Sequence, residues 1–176
     1  MKRGTLHFFV FLGTPRILVT RLLEVHREWF TKHFAGVTFQ SEELPLPKRA
    51  YVANRKQYNA KPFLEMLENY SNRSSHAIGV VDLDLFVSNL NFIFGTAQFG
   101  GNAIVALPRL RQSFYGLPDD DTLFFQRIAK EVFHELGHVM GLRHCTNHCV
   151  MQFSNSLNDT DRKPEAFCQE CLLLLE

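Results

Sequence analysis

The chain reads as an α+β domain of the α/β type, with strands and helices alternating ahead of one long helix. Three observations predict this. Segments with strand period and segments with helical period follow one another as strand, helix, strand, helix, three strands, helix. At 176 residues with 45% hydrophobic side chains, the chain has the size of one domain with a real core. A helix-breaking Gly141 then separates residues 1–141, the sheet and the long helix, from a short subdomain of residues 142–176 that holds every cysteine.

The elements follow in order. Thr5–Leu12 is the first strand. Its apolar run comes after Lys2-Arg3, but it is short, contains His7 and leads into Gly13-Thr14-Pro15-Arg16 rather than a small-residue cleavage site. It is therefore read as a buried strand and not as a leader. Thr14 as cap and Pro15 in the first turn open a helix. Ile17, Leu18, Leu22, Val25, Trp29 and Phe30 keep its period to an end near Phe34-Ala35-Gly36. Val37–Gln40 is the second strand. Residues 45–61 carry Lys48, Arg49, Arg55, Lys56 and Lys61 without an acid, which fits a solvated loop better than a nucleic-acid patch.

Lys61–Tyr70 is the next helix and His76–Val87 a core strand. Asp82 and Asp84 share one face of that strand by its period of two. They are expected to bond loop backbone or a basic residue rather than a metal. Phe92–Gln98 and Asn102–Leu107 are two further strands joined by a Gly100-Gly101 turn. Asp119-Asp120-Asp121-Thr122 caps the long helix, where acids complement the dipole. Pro164–Cys168 opens a last helix, from which Leu172–Leu175 is expected to pack back.

The long helix carries His134-Glu135-Leu136-Gly137-His138 and continues to Gly141-Leu142-Arg143-His144. His134 and His138 are four apart, so both rings leave one face of the helix, one turn apart. Gly141 lets the chain end the helix and swing away, and His144 returns as a third ligand. Three protein nitrogens leave a fourth position for water, the mark of a catalytic zinc. Glu135 can reach that water without being a ligand.

Cys145, Cys149, Cys168 and Cys171 form two close pairs. In a cytoplasmic chain this spacing reads as a closed, structural zinc site before it reads as local disulfides or free thiols. His148 inside the first pair is a less suitable ligand than any of the thiols.

These residues resemble the archaemetzincins, a family of zinc peptidases in the metzincin clan. The resemblance rests on the extended histidine motif, Cys145 directly after His144, Cys149-Val150-Met151 and Cys168-Gln169-Glu170-Cys171. Upstream it includes Gly79–Leu85 and Leu90–Gly95, and it runs from about Leu6 to Cys171. Three residues separate Cys145 from Cys149 where the family is expected to have four.

The resemblance implies a metzincin-like fold: a twisted mixed sheet of about five strands, with Phe92–Gln98 as an antiparallel edge above the cleft. It also implies that Met151 is an apolar floor beneath the histidines. Some metzincins place a tyrosine just past that methionine; here Gln152 and Phe153 follow.

The expected function is zinc-dependent hydrolysis of peptide bonds, with Glu135 as general base and two zinc ions per chain, one catalytic and one structural. The alternative is a catalytically silent zinc-binding interaction module on the same fold; Glu135 favours the enzyme, because binding alone does not need it. A net charge of +1 calls for no nucleic acid, and no stretch is long and apolar enough for a membrane. The expected partner is a peptide or protein substrate, and the chain is read as a cytoplasmic monomer.

Overall fold

A computed structural model describes residues 2–176. Its elements are β1 (Arg3–Val10), α1 (Arg16–Val25), α2 (Arg27–His33), β2 (Phe34–Phe39), β3 (Tyr51–Val52), β4 (Gln57–Asn59), α3 (Lys61–Leu67), β5 (Ser75–Val81), β6 (Leu85–Phe86), β7 (Gly95–Ala97), β8 (Ala103–Ala106), α4 (Asp121–Val139), α5 (Leu157–Arg162) and α6 (Gln169–Leu174). The main sheet has five strands in the order β2-β1-β5-β8-β7. Its pairs are parallel except β7–β8, so β7 is the antiparallel edge. A second sheet of three short strands, β3-β4-β6, was not foreseen.

The period of two sorts β1 onto two cores. Leu6, Phe8 and Val10 face α1, α2 and α4, while Phe9 and Phe11 face α3 and the small sheet. The many phenylalanines fill both layers. Phe8 meets Phe30 edge-on at 5.6 Å, and Phe30 stacks on Phe133 of α4 at 5.7 Å. On the opposite face Phe11 meets Phe63 at 4.9 Å. These pairs hold the sheet and α4 in one register, with burial as the main driving force.

Several expectations need correction. The first long helix breaks at His26, which leaves helical geometry (φ −106°) to reach Glu165 at 3.2 Å and the Phe133 ring at 5.0 Å. The second strand consequently starts at Phe34. Thr14 is no cap, because its hydroxyl accepts the backbone N–H of Asp82 at 3.0 Å instead. The strand expected over His76–Val87 ends at Val81, and the chain passes into the small sheet. Asp82 and Asp84 thus flank the crossing rather than share a strand face. Arg111 binds Asp82 and Arg109 binds Asp84, both through two bonds of 2.6 and 2.8 Å.

The edge strand shrinks to Gly95–Ala97 because Ile93 still pairs with Leu85 of the small sheet. The basic segment contains β3 and β4 rather than loop alone, and Arg55 donates to the carbonyls of Leu90 and Asn91. The last helix begins only at Gln169, with Cys168 as its flanking residue. Leu175, just past the helix, is buried, while Leu172, Leu173 and Leu174 are exposed. No helix among the described residues is long and apolar enough to cross a membrane.

Candidate active site

The α4 helix starts where Asp120 accepts the N–H of Leu123 at 2.9 Å, and it packs against β7 and β8. It ends after Val139. Gly141 takes φ +95°, a left-handed conformation suited to glycine, and the Leu142 N–H bonds back to the Gly137 carbonyl at 2.8 Å. The reversal brings His144 beside the two helical histidines. Ligating atoms of all three lie within 4.8 Å of one another.

The histidine geometry fits a tetrahedral metal. The Nε2 atoms of His134 and His138 are 3.3 Å apart. Two nitrogens at zinc–ligand distance and tetrahedral angle stand about 3.3 Å apart. Each ring is oriented from behind: His134 Nδ1 donates to the Val150 carbonyl at 2.9 Å and His138 Nδ1 to the Leu142 carbonyl at 2.8 Å. A carbonyl only accepts, so both Nε2 atoms carry lone pairs toward the common centre. Burial lowers the pKa of all three histidines, that of His134 to about 2, which keeps them neutral and ready to ligate.

Glu135 is only 4% exposed and its Oε2 has no hydrogen-bond partner among the described residues. A buried unpaired carboxylate oxygen beside three converging imidazoles fits a water held at that centre. Burial, and then neighbouring Glu131, push the Glu135 carboxyl well above the usual carboxylate range; Lys163 opposes them. Space for this side chain comes from Gly95: a Cβ there would stand 2.7 Å from Glu135 Cγ and Oε1. Met151 is fully buried, and its sulfur occupies the space a side chain at Gly137 would need.

The cysteines close a second cluster. Cys145 and Cys168 sulfurs are 3.8 Å apart, and those of Cys149 and Cys171 are 3.7 Å apart. Four thiolates around one zinc have sulfurs about 3.8 Å apart, and all four sulfurs here lie within 4.8 Å of one another, a spacing that fits one tetrahedral metal despite the shorter loop between Cys145 and Cys149. The sulfur of Cys149 accepts the N–H groups of Met151 and Cys168. The Cys171 N–H leads the groups that lower the Cys168 thiol to about 7, while burial pushes Cys145 and Cys171 up. A cation is what allows all four to ionise together. His148 is not part of the cluster.

A cleft of about 840 Å³ opens over the histidines. Its walls include β7, the apolar Val87, Leu90 and Phe92, and residues 153–155. Phe153 lies 5.1 Å from the His144 ring, where no phenolic hydroxyl is on offer.

The model of peptidase family M54 matches residues 43–176. This chain belongs to that family. M54 relatives named archaemetzincin include one from Pyrococcus furiosus, 48% identical over 92% of this chain and 87% of its own length. Another, from Archaeoglobus fulgidus, is 41% identical over 89% of this chain and 92% of its own. The crystal structure of archaemetzincin from Methanopyrus kandleri superposes with a TM-score of 0.83, at 35% identity over 98% of this chain and 93% of that one. A zinc-dependent peptidase from Methanocorpusculum labreanum gives 0.81 at 28% identity, covering 97% of this chain and all of its own. The mixed sheet packed on helices is the archaemetzincin fold.

Sequence reasoning missed one feature of this M54 site. Lys163, 1% exposed, pairs with buried Glu131 at 2.9 Å behind Glu135. The signal was present, since Glu131 stands four residues before Glu135 and therefore on its face of the helix. Nothing in the spacing announced Lys163 as its partner.

Proposed function

We propose that this zinc metallopeptidase of family M54 works with His134, His138 and His144 as ligands of its catalytic zinc and Glu135 as its proton carrier. The observation that carries this reading is the unpaired, buried Glu135 oxygen beside three imidazoles whose orientation is fixed from behind. Zinc at that centre supplies a Lewis acid that lowers the pKa of water to about 7 and polarises a carbonyl.

Glu135 takes the proton from the attacking water at its free oxygen, holds it in a site that favours the protonated form, and delivers it to the departing amine. Among the described residues the outer edge of β7 has no strand neighbour, so an extended peptide can pair with Gly95–Ala97 and lie across the histidines. Met151 acts as the apolar floor and Gly141 as the hinge that returns His144.

Cys145, Cys149, Cys168 and Cys171 hold a second, structural zinc, giving two ions per chain. Held by these four residues, such an ion would tie α6 to the loop directly after His144. The whole of residues 1–176 serves as one catalytic domain, with 142–176 as its zinc-stabilised subdomain. The near-neutral charge and the grouping of every cysteine in one ligand set support a cytoplasmic protein without nucleic-acid or membrane partners, which we take to act as a monomer.

The test is peptide-library cleavage read by mass spectrometry, with wild type and Glu135→Ala both checked for zinc. Wild type cuts and the variant, still loaded, does not. Cleavage by the variant refutes the role of Glu135. Silence from both loaded proteins supports the interaction-module alternative.

A further inference from the structure

The cleft is not apolar to its end. Between α4 and residues 153–155 it reaches Glu131, only 2% exposed and one helical turn before Glu135. Lys163 pairs with Oε1 of Glu131 at 2.9 Å, and the Thr160 hydroxyl donates to the same oxygen at 3.3 Å. Both of these contacts are to Oε1, and no hydrogen bond among the described residues reaches Oε2 of this cleft-lining carboxylate. Ser154 lines the same cleft, and its buried hydroxyl has no hydrogen-bond partner among the described residues. Unpaired buried polar groups cost free energy, so groups left in this state are poised to bind a ligand's polar atoms.

We propose that this end of the cleft is a specificity pocket for a neutral substrate side chain that donates hydrogen bonds, with the amide of glutamine as its fit. Charge balance selects the class. Lys163 already neutralises Glu131, so a cationic side chain gains no net attraction and meets Lys163 behind the carboxylate. An anionic one meets Glu131 and Glu135 together. An apolar one leaves Glu131 Oε2 and the Ser154 hydroxyl unpaired, which is how polar sites reject analogues lacking the donor. A primary amide brings N–H donors for Glu131 Oε2 and a carbonyl that accepts from Ser154. The proposal rests on the peptidase reading for its occupant, a peptide, but the preference itself is a property of binding.

Binding is therefore measured by calorimetry on the zinc-loaded Glu135→Ala protein. The probes are blocked pentapeptides Ala-Ala-Xaa-Ala-Ala with glutamine, methionine, lysine or glutamate at the centre. The glutamine peptide binds about tenfold more tightly than its near-isostere methionine, the worth of one charge-assisted hydrogen bond. Lysine and glutamate bind more weakly than glutamine.

The double variant Glu131→Leu/Lys163→Met, in the same background, replaces the buried pair as a unit, a change folds often tolerate, and puts methionine ahead of glutamine. Ser154→Ala alone narrows the glutamine advantage about threefold, and it serves as the test if the double variant does not fold. Equal or tighter binding of methionine, tighter binding of lysine, a glutamine preference that survives these changes, or no measurable binding of any probe overturns the proposal. Wild-type cleavage is scored separately. Glutamine-selective binding without cleavage refutes the peptidase reading and keeps the pocket, and cleavage without that selectivity does the converse.

Discussion

Replacing Gly95 with alanine tests whether the edge strand positions the proton carrier. The added Cβ would stand 2.7 Å from Glu135 Cγ and Oε1 and 2.9 Å from Cδ. Carbon atoms prefer about 3.5–4.0 Å, so the overlap approaches 1 Å. The strand cannot easily yield, because Gly95 opposes Val105 in the β7–β8 ladder. Glu135 cannot easily yield either, since its backbone is fixed within α4 and the side chain is 4% exposed, with the open cleft as its one direction of retreat. The carboxylate must therefore shift by roughly the overlap. Overpacking of this kind costs about 1–3 kcal/mol, which lowers Tm by about 2–12 °C in a chain of this length. The larger effect falls on the reaction: misplacing a catalytic group by about 1 Å costs on the order of 100-fold. We expect kcat on a quenched fluorescent peptide to fall about 100-fold while zinc content, measured by mass spectrometry, stays at the wild-type value. A Gly95→Ala protein with kcat within twofold of wild type and full zinc would refute the argument.

Gly137→Ala gains about 1 kcal/mol of helix propensity but drives a methyl into the Met151 sulfur, 2.9 Å from its Cε and 3.1 Å from Phe167, so the net change is a loss of about 1–2 kcal/mol in chemical denaturation. Adding Met151→Ala should leave the Gly137→Ala change less damaging than it is alone, and a simple sum of the two losses would count against the contact. Cys149→Ser opens the four-sulfur cluster at its most buried ligand; zinc should fall below one ion per chain, because Cys145 adjoins His144 and the loop that returns it loosens. Retention of one full ion at the histidines would show the two centres to be independent. The metal-free protein should lose stability in acid. Burial depresses the pKa of His134, His138 and His144 in the folded chain, so the unfolded chain binds more protons below its own value of about 6.5. Stability from these groups is full above that pH and declines as pH falls toward the folded values; a Tm that is flat from pH 8 to pH 5 would contradict this.

The chemistry was more legible in the sequence than the architecture. His134 and His138 are bound to one face by helix geometry alone, and Gly141 announces the reversal that brings His144 back. The four cysteines likewise announced one cluster by their pairing. Element boundaries were harder to read wherever a long-range partner outcompeted the local pattern. His26 sits at a helical position, yet Glu165 and Phe133 draw it out of the helix. Thr14 has the chemistry of a cap, yet the Asp82 N–H claims its hydroxyl. Ile93 belongs by pattern to the edge strand, yet it pairs with Leu85 in another sheet.

Sequence alone determined what repeats at short range: the period of two that divides β1 between two cores, the period of 3.6 that aligns the histidines, and the donor types that suit zinc. Only the tertiary structure decided what depends on distance between remote residues. It brought Lys163 onto Glu131, packed Glu135 into the space that Gly95 leaves, and placed Ser154 on the wall of the cleft. Local periodicity fixes which face a side chain occupies, but only the packing of one element on another fixes what that face meets.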